Sequence, residues 1–162
     1  MNRDDLEALA RQIAGQHGLP PELVLALCQV ESGWQPFAAR FEPGFKWLLT
    51  GCDKPETCST GTEQQFQKTS FGLMQIMGAA ARERGHAGWL TELCDPACGL
   101  QYGCRHLQWF AGRFLSTHGW PGVIRAWNTG RAEETPSGLA YQNRIEAALH
   151  GVWPQAEGEV RS

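Results

Sequence analysis

The residue best suited to acid–base chemistry in this sequence is a glutamate at the end of an apolar helical stretch. In the segment Pro20–Trp34, Glu31 follows Val24, Leu27 and Cys28 at helical spacing, so the four side chains share one helix face. Partial desolvation of a carboxylate favours its protonated form, as a general acid near neutral pH requires. The alternative is an ordinary surface glutamate on the last turn of a core helix.

The predicted helix that carries Glu31 has clear start and stop signals. Pro20 and Pro21 suit the entry to a helix, and Glu22 suits the positive end of the helix dipole. Gly33 follows as a terminator. The residues between these signals are apolar nearly all round, which is typical of a buried core helix.

The rest of the chain shows helical spacing rather than strand alternation. Apolar periodicity and capping signals predict further helical segments at Asp4–Gly15, Phe45–Leu49, Thr62–Lys68, Phe71–Arg84, Trp89–Leu93, Asp95–Thr117, Val123–Asn128 and Ser137–Val152. We therefore predict an all-α fold in a single domain, residues 1–162. A small β-hairpin or loop insert is expected at 41–62.

Composition and charge exclude several classes of protein. With 162 residues, 42% of them apolar, the chain is long enough for one domain with a core of its own. The net charge is −3 and basic runs are absent, which argues against nucleic acid and an anionic membrane surface as partners. No apolar run approaches the ~18 residues of a transmembrane helix. Seven tryptophans favour a binding groove.

The N-terminal segment does not resemble a secretory signal. Its sequence, MNRDDLEALARQIAGQ, is acidic and amphipathic, without a basic start, an apolar run or a small-residue cleavage site. Three alternatives follow: the protein stays in the cytoplasm, a phage or a secretion apparatus delivers it, or its leader is missing from this sequence.

The six cysteines allow more than one interpretation; they are Cys28, Cys52, Cys58, Cys94, Cys98 and Cys104. Cys28 lies on the buried helix and is interpreted as an inert core thiol. Cys52 and Cys58 flank a short polar loop, so we predict a disulfide between them and an oxidising compartment. A second bridge among the last three is an alternative. The spacings do not match zinc ribbons, and no metal site is predicted.

Four short motifs occur in a fixed order along the chain. They are Glu31-Ser32, Gly72-Leu73-Met74-Gln75-Ile76-Met77, Ala126-Trp127-Asn128-Thr129-Gly130, and Tyr141 with Asn143-Arg144-Ile145. In this order, within an all-α chain, they resemble the catalytic domain of soluble lytic transglycosylases. That family shares the lysozyme fold and is distantly similar to goose-type lysozymes. The resemblance covers about residues 20–150, and Trp127 stands where the family usually has tyrosine.

The resemblance implies a role for three residues around the acid. Glu31 would be the sole catalytic acid and base, and Ser32 would position a sugar or polarise the site. Tyr141 would reach Glu31 or the substrate from the last helix. For Tyr141, simple packing is the alternative interpretation.

The resemblance also implies substrate contacts from the second and third motifs. Gly72 would let the backbone approach the glycan, because it has no Cβ. Met74 would pack over the sugar at the cleavage point, and Gln75 would hydrogen-bond substrate or the catalytic loop. Asn128 would hydrogen-bond near an N-acetyl group. The alternatives are a core position for Met74 and a helix-capping role for Asn128.

The spacing between the first two motifs departs from the family pattern. Forty residues separate Glu31 from Gly72, and the excess, roughly Phe41–Lys68, predicts an insert that walls one end of the cleft. The insert supplies Glu42 as a candidate second carboxylate. Alternatively, Glu42 pairs with Arg40 and shapes the loop.

The function implied by the resemblance is cleavage of peptidoglycan by a lytic transglycosylase. Glu31 would protonate the β-1,4 bond between N-acetylmuramic acid and N-acetylglucosamine, and the muramic acid 6-hydroxyl would close a 1,6-anhydro ring. One alternative is a hydrolytic muramidase that uses Glu42 to place water. A second alternative, from a different class, is an inactive glycan-binding module. The expected partner is the glycan strand in the periplasm or cell wall, bound by a monomer without a cofactor.

Overall fold

The computed structural model describes residues 1–155, and helices make up most of this part of the chain. The helices are α1 (Arg3–Gln16), α2 (Pro21–Ser32), α3 (Thr60–Gln67), α4 (Gly78–Glu83), a 3-10 helix (Leu90–Cys94), α5 (Pro96–Thr129) and α6 (Pro136–Ala148). The all-α prediction is therefore confirmed. The predicted single domain, 1–162, remains a prediction, and its last residues, 156–162, lie outside the described part.

Local signals set most of the helix boundaries. At α1, Asn2 and Asp5 form a capping box, in which each side chain accepts a hydrogen bond from the other residue's backbone N–H. At α5, Asp95 accepts a hydrogen bond from the N–H of Cys98 at 2.9 Å, and Pro96 occupies the first helical position. These ends agree with the sequence prediction to within a few residues.

Helix α5 is kinked rather than continuous. Gly119 has φ 62° and ψ −176°, and Pro121 follows it, so the axis changes direction between two helical halves. The predicted helix end at Thr117 lies just before this kink, and the predicted helix Val123–Asn128 lies in the second half. The kink brings the end of α5 and helix α6 to the side of the molecule where α2 ends.

A three-stranded antiparallel sheet lies beside the helices. Its strands are β1 (Ala39–Phe41), β2 (Thr69–Phe71) and β3 (Ile76–Met77), in the order β1-β2-β3. Ala39 pairs with Phe71 and Ser70 pairs with Met77. The sheet thus joins the two ends of the predicted insert. The stretch 42–59 between them is a loop without helix or strand, which is the loop alternative of the prediction.

Two predicted helices are wrong. Residues 71–77 do not begin the helix Phe71–Arg84: they form a strand, a tight turn and a second strand, and the helix starts only at Gly78. The turn places Gly72 at φ 77° and Gln75 at φ 49°, and both values are incompatible with a right-handed helix. The short helix predicted at Phe45–Leu49 is absent, and this segment lies in the loop.

The core consists of two apolar clusters. The larger one surrounds α2, where Leu23, Val24, Leu27 and Cys28 are fully buried as predicted. The smaller one, centred on Leu90, packs the 3-10 helix against the sheet and α4. None of the helices within residues 1–155 combines the length and the hydropathy needed to cross a membrane.

The predicted Cys52–Cys58 disulfide is wrong, because all six cysteines are free thiols. The two sulfurs have separate neighbours: Cys52 Sγ lies 3.6 Å from Gln67 Nε2, and Cys58 Sγ lies 3.8 Å from Glu63 Oε2. No second bridge joins the remaining cysteines either. The loop is fixed by polar contacts to α3 instead of by a covalent link.

A buried ion pair holds α3 against α4. The Arg82 guanidinium donates to both carboxylate oxygens of Glu63, at 2.8 and 2.9 Å, and the two side chains are 1% and 6% exposed. The guanidinium lowers the pKa of the Glu63 carboxyl by hydrogen bonding. Glu63 therefore stays ionised and the pair carries two opposite buried charges.

We predict that Glu63→Gln lowers the free energy of unfolding by about 3–5 kcal/mol, because it leaves the buried Arg82 charge without a counterion. Urea denaturation monitored by circular dichroism measures this loss. Glu7→Gln is the matched control, since it removes the exposed Arg3–Glu7 pair and should cost less than about 1 kcal/mol. Equal losses in the two variants would contradict the assignment of the Glu63–Arg82 pair as a structural anchor.

Candidate active site

Glu31 lies where α2 ends, at the floor of an open cleft. Gly33 caps the helix in the left-handed conformation, with φ 57°, so the chain turns away directly after the carboxylate. The Glu31 side chain is partly buried against the apolar core of α2 and also lines the cleft. The predicted combination of an apolar face and access to a ligand is therefore present at this residue.

Two donors from distant parts of the chain hold the Glu31 carboxyl group. The indole Nε1–H of Trp127, on the second half of α5, donates to Oε1 at 3.0 Å. The hydroxyl of Tyr141, on α6, donates to the same oxygen. Among the described residues, Oε2 receives no hydrogen bond. The carboxyl group is thus oriented through one oxygen, while the other is left for a ligand.

The surroundings of Glu31 favour a proton on this carboxyl group. Burial is the largest influence and raises its pKa above the ordinary value of 4.5. The hydrogen bonds from Tyr141 and Trp127, and then the positive charges of Arg40 and Arg144, oppose this rise without cancelling it. Glu31 is therefore protonated at a higher pH than an exposed glutamate, which suits proton donation.

The cleft has a volume of about 770 Å³, within the range of about 300–1,000 Å³ that ligand sites occupy. Residues from β1, the insert, the sheet, α4 and both halves of α5 line it, including Glu31, Arg40, Glu42, Phe45, Trp47, Gln75, His106, Trp109, Trp127 and Asn128. A second cavity, of about 620 Å³, lies between residues 17–21 and α5, and none of the predicted site residues lines it. The candidate active site is therefore the cleft that holds Glu31, and not the second cavity.

The turn of the second motif is a scaffold beside the cleft. Gln75 uses its whole amide inside the turn: Nε2 donates to the carbonyls of Ala38 and Gly72, and Oε1 accepts from Ser70. A Cβ on Gly72 would lie 2.3 Å from the Leu93 carbonyl oxygen, so the glycine permits a backbone-to-backbone contact. Gln75 lines the cleft, whereas Gly72 is buried behind it.

Ser32 and Met74 lie behind the cleft as well. The Ser32 hydroxyl donates to the carbonyl oxygen of Leu73 at 2.8 Å, which ties the end of α2 to the turn. Met74 is 0% exposed and packs against Gly103 of α5, where a Cβ would lie 2.5 Å from the methionine sulfur. The structure thus places Met74 in the core, the alternative position considered from sequence, and not over a sugar site.

Asn128 and Glu42 both face the cleft. Asn128 is exposed near the end of α5, and its side-chain amide makes no hydrogen bond within the described residues, so it is available to a ligand. Glu42 pairs with the Arg40 guanidinium at 2.6 Å, as the second interpretation of this residue expected. The Arg40 charge also opposes the rise of the Glu31 pKa, so one guanidinium interacts with both carboxyl groups.

Trp127 and His106 are site residues that the sequence interpretation missed. Trp127 occupies the position of the expected tyrosine and replaces a hydroxyl donor by an indole N–H. The His106 ring lies 5.5 Å from the Trp127 ring and stacks on Trp109 at 5.9 Å. Burial lowers the His106 pKa to about 4, so the ring is neutral. In the sequence, the signal that could have identified them was the group of aromatic residues on α5.

One cluster outside the cleft has the ligand types of a metal site. His86, Glu92 and Cys98 bring ligand atoms within 4.8 Å of one another. However, His86 Nε2 lies 3.0 Å from the Trp89 carbonyl oxygen, and Glu92 accepts the Trp89 N–H as a cap of the 3-10 helix. Burial, Glu92 and Asp95 raise the pKa of Cys98 to about 11, which keeps the thiol protonated. Local structure accounts for this cluster.

Comparison with protein families agrees with the geometry of the cleft. The family model described as the Transglycosylase SLT domain matches residues 8–147, a span that includes Glu31, Trp127 and Tyr141. Comparisons with curated proteins and with solved structures gave no match.

The two donors to Glu31 oppose the rise of its pKa, so removing either should raise that pKa further. We predict a higher pKa for Glu31 in both Trp127→Phe and Tyr141→Phe than in the unmodified protein, measured by carbon-13 NMR titration of the side-chain carboxyl. Trp109→Phe is the control, because Trp109 lines the cleft without a hydrogen bond to Glu31. An unchanged or lowered value in both test variants would contradict the assigned hydrogen bonds.

Proposed function

The chain belongs to the transglycosylase SLT domain family, a lytic transglycosylase-type family that acts on peptidoglycan, and from this premise we propose the bond that it cleaves and the residues that cleave it. The bond is the β-1,4 link between N-acetylmuramic acid and N-acetylglucosamine, and the product carries a 1,6-anhydromuramic end. The observation that carries the proposal is the Glu31 carboxyl group, whose pKa is raised by burial and which is oriented through one oxygen in the cleft.

In the first half of the reaction, Glu31 is the general acid. Its proton passes from Oε2 to the glycosidic oxygen as the bond from that oxygen to C1 breaks. Trp127 and Tyr141 then stabilise the carboxylate that forms, because both donate to Oε1. The proton lost by Glu31 is the one that the departing sugar gains.

In the second half, the same carboxylate acts as the base. It takes the proton of the muramic acid 6-hydroxyl while that oxygen bonds to C1 of the same sugar, which restores the Glu31 acid. A hydroxyl held close to its target by the sugar ring has a high effective molarity. A single carboxylate therefore suffices, in contrast to the usual pair of a glycosidase.

The remaining predicted residues divide into ligand contacts and supports. Asn128, exposed in the cleft, is proposed to hydrogen-bond an N-acetyl group. The supports are proposed to hold the backbone around the cleft in position and not to contact the ligand; they are Ser32, Gly72, Met74 and Gln75. Their polar atoms or side chains are already used in the turn and the core. The enzyme is proposed to act in the cell wall or periplasm, where its substrate lies.

Hydrolysis is the second candidate, because Glu42 lines the same cleft as Glu31. In this alternative the Glu42 carboxylate would position a water molecule for attack on C1. Its ion pair with Arg40 argues against that role, since the guanidinium uses one of the carboxylate oxygens.

We predict that Glu31→Gln lowers the rate of peptidoglycan lysis by about 10²–10⁴-fold, the usual contribution of a general acid. The pKa of Glu31 is higher in the folded than in the unfolded protein, so the unfolded chain loses this proton at a lower pH. The free energy of unfolding therefore falls as pH rises through the raised pKa of the folded state. The neutral variant should therefore melt no lower than the unmodified protein at pH 7. Near-normal lysis by this folded variant would remove Glu31 from the mechanism.

We predict that mass spectrometry of the released muropeptides finds anhydro ends, one water lighter than hydrolysed ends and without a reducing sugar. The nucleophile is the substrate's own hydroxyl, so ¹⁸O from labelled water should not enter the product. Glu42→Gln should leave the product type unchanged. Reducing ends with ¹⁸O that vanish in this variant would establish hydrolysis, and glycan binding without any cleavage would indicate an inactive binding module.

A further inference from the structure

The insert presents an exposed tryptophan to the cleft. Trp47 is 76% exposed, and its neighbour Phe45 meets it edge to face, with ring centroids 5.7 Å apart and planes at 72°. Both side chains line the cavity that holds Glu31. An exposed indole at the rim of a ligand cleft is informative, since large apolar side chains left in water mark interaction sites.

The insert holds this pair in place, although its segment 42–59 contains neither helix nor strand. The backbone N–H of Leu49 donates to Gln67 Oε1 at 2.8 Å, and Gln67 Nε2 donates back to the Leu49 carbonyl at 3.1 Å. On the other side, the N–H of Glu42 donates to the Lys68 carbonyl at 2.8 Å, and the N–H of Phe45 donates to the Glu42 carbonyl at 3.0 Å. Trp47 thus lies between two fixed points, and a ligand would not have to order the loop.

The face of the Trp47 ring is free, unlike that of the other exposed tryptophan in the cleft. Trp109 has the guanidinium groups of Arg84 and Arg113 over its ring, at 4.5 and 4.7 Å. In the part of the chain that the structure describes, Trp47 has one aromatic contact, the edge of Phe45, and no cation over its ring. An indole face can therefore receive a flat apolar surface from a ligand.

The charges around the cleft do not select a ligand by its net charge. Glu42 is neutralised by Arg40, His106 is neutral, and the remaining lining residues carry charges of both signs. The electrostatic potential of the cleft is not of one sign, so it attracts neither an anionic nor a cationic polymer preferentially. A pyranose ring combines hydroxyl groups at its edge with a face of C–H bonds, which matches polar cleft walls beside an open indole.

We propose that Phe45 and Trp47 form a sugar-binding subsite, in which one pyranose ring of the glycan strand stacks on the Trp47 indole. This inference rests on the proposed function for its ligand, since the strand is the one that Glu31 cleaves. The insert then serves to extend the cleft by a subsite and to retain long strands. Trp47 is a binding residue and takes no part in proton transfer.

Binding of peptide-free glycan strands to Glu31→Gln protein tests the subsite without turnover. In this background Trp47→Ala should weaken binding about tenfold, and Trp47→Leu should do the same, because leucine keeps apolar bulk without an aromatic face. Trp47→Phe should retain most of the affinity. Phe37→Ala is the matched control, since Phe37 is 80% exposed but does not line the cleft, and its binding should be unchanged.

The outcomes separate this inference from the proposed function. Unchanged binding in Trp47→Ala, or full binding in Trp47→Leu, would overturn the subsite even where the unmodified protein cleaves strands. A loss in Trp47→Phe equal to that in Trp47→Ala would also overturn it. Conversely, binding that depends on Trp47 in a protein that releases no anhydro ends would leave the subsite standing and refute the proposed reaction. Circular dichroism of each variant verifies that the fold is intact.

Discussion

The hydrogen bonds that Trp127 and Tyr141 donate to one oxygen of Glu31 are the interaction on which the site depends. A carboxylate on the apolar face of α2 is costly, because burial removes the water that would solvate its charge. The donors come from residues 96 and 110 positions further along the chain, so they reach Glu31 only if α5 bends and α6 returns. The Gly119 kink is therefore as much part of the site as the residues in the cleft.

Sequence patterns predicted the elements whose signals are local. The apolar run of α2 and the Asp95-Pro96 start of α5 are read from neighbouring residues, and both helices form as expected. The helix predicted at 71–77 was wrong because the apolar spacing of this stretch also fits a helix. What decides its shape is distant: Gln75 donates to the carbonyl of Ala38, 37 residues away, and accepts from Ser70 within the sheet. Tertiary contacts here override a helical pattern.

The candidate site was predictable in its residue types but not in its contacts. Glu31 and Tyr141 meet as the resemblance implied, since both positions follow from motif order. Of the two interpretations of Met74, a contact with sugar and a core position, the structure has the core position. The sequence left both open because spacing does not tell a side chain that lines a cleft from one that lies just behind it. The cysteines illustrate the same gap: a short loop between Cys52 and Cys58 suggested a bond, while each sulfur has its own polar neighbour on α3.

The acid and the cleft wall are linked by a short series of polar contacts. Ser32, next to Glu31, holds the Leu73 carbonyl, and the turn that follows holds β1 through Gln75. Strand β1 leads directly into the segment 42–59 of the insert, which Gln67 of α3 fixes at Leu49. Each neutral hydrogen bond of this kind contributes only about 0.5–1.5 kcal/mol net to stability, so its effect here is on position. A loop without regular structure can therefore form a defined wall, because its orientation is set by the same turn that supports the helix of the acid.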